Sequence, residues 1–564
     1  MRVSKRDLMV GGLAAVLLGG AAVAVATAAP PGPDVAESVY WGGPIYTADD
    51  ANPRVEAVAV RAGRIVYAGD RAGAKKLVGG ATKVLDLKGA AMFPGFTDAH
   101  AHLRGIGERE LTLNLEGTPS LAALVATVKA RAAATPKGQL IIGRGWIETH
   151  WPEGRFPTRA DLDAVSPDNP VLLERADGHA LVANSAALRA AGITRATVAP
   201  SGGEILKDAA GEPAGMLVDM AMTLVEPIIP KPDAAFREKA FTAGFKVYSA
   251  YGWTGVHNMS VDWDDALMLE KIAARGAAPL RVYNAVTPEG AERLIAGGPR
   301  SAAEGRVITR TVKFYMDGAL GSRGAALLER YADADSLGLV QMKKEDVLPV
   351  WRRALDRGIQ ITTHAIGDRG NRMTLDWYAE VFGPAGGKTA RWRVEHAQVI
   401  SPTDIPRFGQ LGVIPSMQPS HAIGDLYFAP KRLGAERLKG AYAWKSLIAS
   451  GAIIPAGSDA PVERGDPLIE FYAATARRSL DGFQGPDWHP EEAVDRATAL
   501  KMFTVWPAYA SFREKELGMI KVGYRADLSV FSVDLMTAPF AAIPKGKALL
   551  TVLDGKTAYR AAGW

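Results

Sequence analysis

Eight short apolar runs, with their polar residues placed late, punctuate the chain from residue 94 onward: "PGFTDAHAHL", "GWTGVHNMS", "LRVYNAVT", "TVKFYMDGAL", "IQITTHAIGD", "RWRVEHAQVI", "GVIPSMQPSH" and "AIIPAGSDAP". Between most of them lie stretches of helical periodicity, such as "DAAFREKAFTAGFKVYSAYG" and "KEDVLPVWRRALDRG". Strand and helix therefore alternate, which implies parallel strands joined by crossover helices. Eight such units predict an α/β fold, a (β/α)8 TIM barrel, with its active site at the C-terminal ends of the strands.

Two further features surround this plan. "SVYWGGPIYTAD", "VEAVAVRAGRIVYAGD" and "KVLDLKGAAMFPGF" read as hairpins with Gly and Asp turns, and a similar pattern returns in "GMIKVGYRADLSVFSVD" and "ALLTVLDGKTAYRAAGW". The expectation is one small β-sandwich built from both chain ends, residues 35–92 plus 516–564, flanking a barrel at 93–515. The gap at about 104–250 is far longer than one crossover helix and holds its own elements, "QLIIGRGWIETHW" and "NPVLLERADGHALVANSAALRAAGI". It reads as a subdomain inserted after the first barrel strand, over the mouth.

The 564 residues, 48% hydrophobic and 23% charged, suit a globular protein with a sizeable core. There is no cysteine, which excludes disulfides, thiolate metal sites and a cysteine nucleophile. A metal would have to be held by His, Asp, Glu or a modified Lys, and there are nine histidines. The start, "MRVSKRDLMVGGLAAVLLGGAAVAVATAA", has the layout of an export signal over residues 1–28, which predicts a periplasmic protein. "SKRDLM" is similar to a twin-arginine signal with Lys5 in place of the first arginine, so the twin-arginine and general secretory routes both stay open, as does an uncleaved anchor. Losing Arg2, Lys5, Arg6 and Asp7 with the signal would leave a net charge of +3, too mild to argue for nucleic acid. The expected partner is a small-molecule substrate, with no membrane domain in the mature chain and a homodimer as the assembly considered.

The barrel would gather at its mouth the late residues of the runs: His100 and His102, Lys313, His364, His396 and Asp459. Histidines two apart on a strand share a face, so both imidazoles of "HAH" can reach one ion. Such a pair alone could equally be packed or surface histidines, and it is the set that points to metal. Lys313 is either a structural cation, with Asp317 as the competing partner, or a lysine that has lost its proton and turned to a metal.

This constellation resembles the amidohydrolase superfamily over nearly the whole mature chain. "PGFTDAHAHL" is similar to its first-strand metal motif, and the resemblance makes His100 and His102 ligands of the more buried ion. "VKFYMDGALGSRGAAL" resembles its fourth-strand segment, which implies that Lys313 reacts with carbon dioxide to form a bridging carbamate. "THAIGD", "RVEHAQ" and "GSDAP" would then supply His364, His396 and Asp459, and the implied cofactors are two divalent ions, zinc first. "GRGW", "DGHALVANSAAL", "SGGEI", "SMQPSH" and "GSDAPVERGDPL" are similar to the large-insert branch that includes N-substituted formamide deformylases.

The resemblance implies a hydrolase of a carbon–nitrogen, amide-type bond in a small molecule, with N-acyl or N-formyl amines or amino-acid derivatives first. Dipeptidase, carboxypeptidase, lactonase and deaminase activities on the same scaffold are alternatives, as is a non-catalytic exported binding protein. Asp459 is expected both to ligate and to carry a proton to the leaving nitrogen, and Asp98 to orient nearby backbone or a ligand imidazole. His179, in the insert, would face the substrate and steady the oxyanion. His257 either points into the site or packs beneath it, and His421 is a candidate for the pocket rim. Arg323 would clamp an acidic substrate group or be solvated, and Trp146 and Trp151, with Tyr315 and Met417, suggest an apolar pocket or simply core. His150 and His489 read as surface or packing residues.

Overall fold

The computed structural model describes residues 35–148, 151–176, 178, 180–200 and 203–564; the expected export signal, His150 and His179 lie outside the described residues. Seven parallel strands form the centre: β1 (Phe96–Ala101), β2 (Trp253–Val261), β3 (Arg281–Val286), β4 (Val307–Tyr315), β5 (Gln360–Ala365), β6 (Arg393–His396) and β7 (Ile414–Ser416). Each pairs in parallel with the next, in sequence order. Helices such as Trp263–Ala274, Lys344–Asp356 and Asp368–Phe382 make the crossovers. Large aromatics fill the layer behind the strands, where Tyr378 meets Trp351 and Trp392 edge-on, with ring centroids 5.0 Å apart in both pairs.

The eighth run does not form a regular strand. It closes the barrel by single bonds: Met417 N donates to Pro455 O and Gly457 N to Met417 O on one side, and Ala99 N donates to Ala456 O and Asp459 N to His100 O on the other. Pro455 has no N–H to give, and Asp459 takes a left-handed φ of 60°, so an extended ladder cannot propagate. The seam is also too close for a side chain at Gly457, where a Cβ would lie 2.3 Å from His100 N and 2.6 Å from Asp98 Oδ1.

The chain ends meet in one sheet, in which Ala91–Pro94 pairs antiparallel with Leu528–Phe531. Strand Ser38–Tyr46 is shared: its first half pairs with Lys83–Asp86, and Ile45 pairs with Met92 beyond a register shift after Trp41. Val58, Val60 and Ile65 from the early strands share a core with Leu528, Val530, Leu550 and Val552 from the late ones. The expected sandwich is thus one continuous sheet, because the divided strand lets a single sheet supply both apolar faces. Between β1 and β2 lies a six-stranded sheet, from Leu113–Asn114 at one edge to Gly203–Lys207 at the other, with cores of its own. Among the described residues no helix is long and apolar enough to cross a membrane.

Candidate active site

Strand alternation puts residues two apart on one face, which pairs Lys313 with Tyr315, Thr362 with His364, and Arg393 with Glu395. His396 directly follows Glu395 and would point away in an extended strand. Its φ of 73° turns it inward instead, so that its ring lies 4.5 Å from that of His364 and 4.8 Å from that of His100. Ser260, Ala397 and Asp459 also hold left-handed backbone, at φ 56°, 44° and 60°. Strained non-glycine residues gathered at several strand ends are typical of a site over-determined by its surroundings.

The six expected ligands form one cluster. Asp459 Oδ1 is 3.1 Å from His102 Nε2 and 3.4 Å from His100 Nε2, and Lys313 Nζ is 3.4 Å from His100 Nε2. His100, His396 and Asp459 each offer one ligand atom, all within 4.8 Å of one another. His421 joins them from the helix Pro419–Asp425, with Nε2 3.7 Å from Asp459 Oδ2 and 3.8 Å from Glu463 Oε1.

The surroundings aim these groups. Asp98 accepts from the backbone N–H of His100 and of Ser458 and from the hydroxyls of Ser458 and Tyr248, so it ties β1 to the eighth run through the backbone. Glu395 Oε2 lies 2.5 Å from His100 Nδ1, and Gln418 Oε1 lies 2.9 Å from His396 Nδ1. His102 Nδ1 is 3.2 Å from Met259 O. Asp317 is not the partner of Lys313: it accepts from the N–H groups of Ala326, Ile366 and Gly367 and stands 3.6 Å from His364 Nε2.

Burial pushes His100 down to about 4 and His364 to about 3, and holds His396 well below the usual histidine range, so these imidazoles are neutral and have lone pairs to give. Burial opposes the ionisation of Asp459, but His100, His102 and His396 outweigh it and keep the carboxyl well below its ordinary range. Burial also lowers Lys313 to about 8. His364 Nε2 and His421 Nε2 are buried with no hydrogen-bond partner among the described residues. Several neutral imidazoles and an ionised carboxylate packed this closely, two of the imidazoles with a buried Nε2 that no hydrogen bond satisfies, suit a divalent cation.

Comparison with known proteins agrees. The amidohydrolase family pattern matches residues 83–559. The chain belongs to the amidohydrolase family. It is 36% identical over 534 residues to YtcJ of Bacillus subtilis (strain 168), covering 93% of this chain and 99% of that one. It is 29% identical over 541 residues to an N-substituted formamide deformylase of Arthrobacter pascens, covering 92% and 97%. An uncharacterised metal-dependent hydrolase from Pyrococcus horikoshii OT3 superposes with a TM-score of 0.73 at 26% identity, over 89% of this chain and 99% of that one.

Three expected substrate contacts of this amidohydrolase lie elsewhere. Trp146 has no exposed surface, stands against Trp151 in the insert's core and gives its indole N–H to Leu173 O, so no face is free for substrate. Arg323 commits Nε and Nη2 to Asp333 at 3.2 and 3.0 Å. His257 packs beneath the cluster, where its Nδ1 takes a 2.8 Å bond from Arg393 Nη1. His489 is a surface residue 2.7 Å from Glu491. Sequence reasoning passed over Glu395, Arg393 and Gln418. Their signal was the period of two in "RVE", which places Arg393 and Glu395 on the barrel's inner face.

Proposed function

We propose that this amidohydrolase cleaves a carbon–nitrogen, amide-type bond of a small molecule, an N-formyl or N-acyl amine or amino-acid derivative, with two zinc ions that His100, His102, a carboxylated Lys313, His364, His396 and Asp459 would hold. The observation that carries the reading is the cluster at the barrel mouth of buried His100, Lys313, His396 and Asp459 with half-buried His102 and His364. When bound there, divalent ions would supply Lewis acidity, which would lower the pKa of water toward neutrality and polarise a carbonyl. Asp459, held ionised, takes the proton of the attacking water and passes it to the leaving nitrogen. His421, 3.7 Å from Asp459, is placed to hydrogen-bond a substrate oxygen beside it. Lys313, lowered to about 8, offers near neutral pH the unprotonated amine that addition to carbon dioxide requires. The similarity to a formamide deformylase supports the substrate class.

The test is a panel of N-formyl amines, N-acyl amino acids and dipeptides incubated with zinc-reconstituted protein, with amine release followed by mass spectrometry. Cleavage of the N-formyl or N-acyl members is expected. Turnover confined to lactones or to deamination would overturn the assignment. The proposal includes export through residues 1–28, and the layout of that segment supports it. Lys5→Gln with Arg6→Gln should retain the protein inside the cell, and undiminished export of that variant would refute the twin-arginine route.

A further inference from the structure

Arg393 lies inside the barrel, beneath the histidine cluster, with no exposed surface. Its guanidinium reaches four strands. Nη1 donates to His257 Nδ1 of β2 at 2.8 Å. Nη2 shares its two hydrogens among Ala99 O of β1 at 2.7 Å, Ser416 Oγ of β7 at 2.8 Å and Glu395 Oε2 of its own strand at 3.1 Å, while Nε lies 2.7 Å from Glu395 Oε1 as an ion-pair contact outside hydrogen-bond geometry. Glu395 Oε2 in turn meets His100 Nδ1 at 2.5 Å, and Oε1 accepts from the Thr362 hydroxyl.

We propose that Arg393, with His257 as its acceptor, is a positioning residue of the metal centre: it locks Glu395 and so sets the tautomer and aim of His100. The inference rests on the reading of His100 as a metal ligand. A guanidinium keeps its charge when buried and presents its donors in a rigid plane, so the hydrogen bond from Nη2 to Oε2, with the ion-pair contact of Nε at Oε1, restrains the rotation of the Glu395 carboxylate. A fixed, ionised Glu395 requires the hydrogen of His100 on Nδ1, which leaves the lone pair on Nε2, the atom facing Lys313 and Asp459. A purely structural ion pair would be complete with Glu395 alone. Arg393 also holds Ala99 O, the carbonyl just before His100, so it fixes the backbone and the side chain of one ligand together. The bond from Arg393 Nη1 requires that His257 present a bare Nδ1, so the lower histidine acts as an acceptor that orients the fork.

The test strips the full-length protein of metal and titrates zinc against a chromogenic chelator, with circular dichroism recorded on every variant. Arg393→Lys keeps the charge and loses the fork, and zinc affinity should fall about 10–100-fold. Affinity within twofold of native in a folded variant overturns the inference. His257→Gln keeps an acceptor for Arg393 and should bind zinc as the native protein does, whereas His257→Leu should lose roughly threefold or more. Equal affinity in these two variants overturns the inference, and the pair decides the matter where Arg393→Lys does not fold. Arg393→Lys added to Glu395→Gln should cost nothing further, and additive losses would mean that Arg393 acts by another route. Native protein that takes up no zinc would sink the metal-centre reading and this inference with it; native uptake with unaffected variants sinks the inference alone.

Discussion

Glu395 Oε2 and His100 Nδ1 stand 2.5 Å apart in a part of the barrel where neither side chain has more than 1% of its surface exposed. Burial opposes the charge on Glu395, and Arg393, with the hydrogen bond from His100, outweighs it, so the carboxylate stays ionised and holds the imidazole hydrogen on the side away from the cluster. Glu395→Gln keeps the shape and loses the charge. Zinc affinity should fall about 10–100-fold while the far-ultraviolet circular dichroism stays native, which chelator competition can check. Unchanged affinity would show that the contact only packs.

Asp459 Oδ1 stands beside the Nε2 atoms of both histidines of "HAH", 3.4 Å from His100 and 3.1 Å from His102, and Asp459→Asn removes its charge and its capacity to take a proton. The expected loss in kcat is about 10²–10⁴-fold, with KM moving much less, because a missing proton carrier acts on the transition state. Steady-state kinetics on a cleaved N-acyl or N-formyl compound decide this. Activity within tenfold of native would remove Asp459 from the proton-transfer role.

The site was legible in the sequence wherever it obeys strand order. His100, His102, Lys313, His364, His396 and Asp459 lie in the first, fourth, fifth, sixth and eighth runs, in chain order, and a parallel barrel presents the C-terminal ends of such strands at one face. What was not legible, the geometry that brings His396 and Asp459 inward and the network around them, depends on contacts distant in sequence or on backbone that breaks the rule. His396 reaches the site through a left-handed φ, and Asp459 lies on a segment that bonds to β1 and β7 without becoming a strand. Trp146, open in the sequence between pocket and core, lies in the insert's core; an aromatic residue in an inserted unit gives no sign of which face it takes, and the pairing of Arg323 with Asp333, ten residues on in the same loop, left no signal in the sequence.

Gly457 tests the barrel seam. A methyl group there would press on His100 N and Asp98 Oδ1, both held in place by further bonds, so Gly457→Ala should destabilise the fold by roughly 2–3 kcal/mol. Gly297→Ala is the control, since nothing lies within 4 Å of its added carbon and it sits in a helix, where alanine is favoured. Chemical denaturation should show a clear loss in the first variant and little change or a gain in the second. Equal stabilities would contradict the close approach of the eighth run to β1.

Metal removal should lower stability as well as activity. A ligand that binds only the folded state stabilises it by about 4 kcal/mol when present at 1,000 times its dissociation constant. Chelator-treated protein should therefore melt at a lower temperature than the zinc-loaded form. His100→Asn combined with His102→Asn removes two ligands of one ion, so its zinc-dependent rise in melting temperature should be clearly smaller than that of the native protein. A zinc-dependent rise of native size in that double variant would place the ion elsewhere.

Asp425 gives the fold a pH dependence that can be signed in advance. Its Oδ2 accepts from Gln398 Nε2 at 2.5 Å and from the Tyr442 hydroxyl, and burial pushes its pKa up to about 7 despite both bonds. The unfolded carboxyl titrates near 4, so below that pH both states are protonated and the stabilisation is fully present. As pH rises toward 7 the unfolded chain has released a proton that the folded chain still binds, and stability is lost progressively until the folded group ionises as well. The total loss is up to about 4 kcal/mol from a shift of this size. Asp425→Asn cannot titrate, so between pH 5 and 8 its unfolding free energy should decline less steeply than that of the native protein. The helix that ends at Asp425 also carries His421, so the native protein alone should loosen there at the alkaline end. Urea denaturation at several pH values decides it: parallel slopes for the two proteins would assign the pH dependence to other groups.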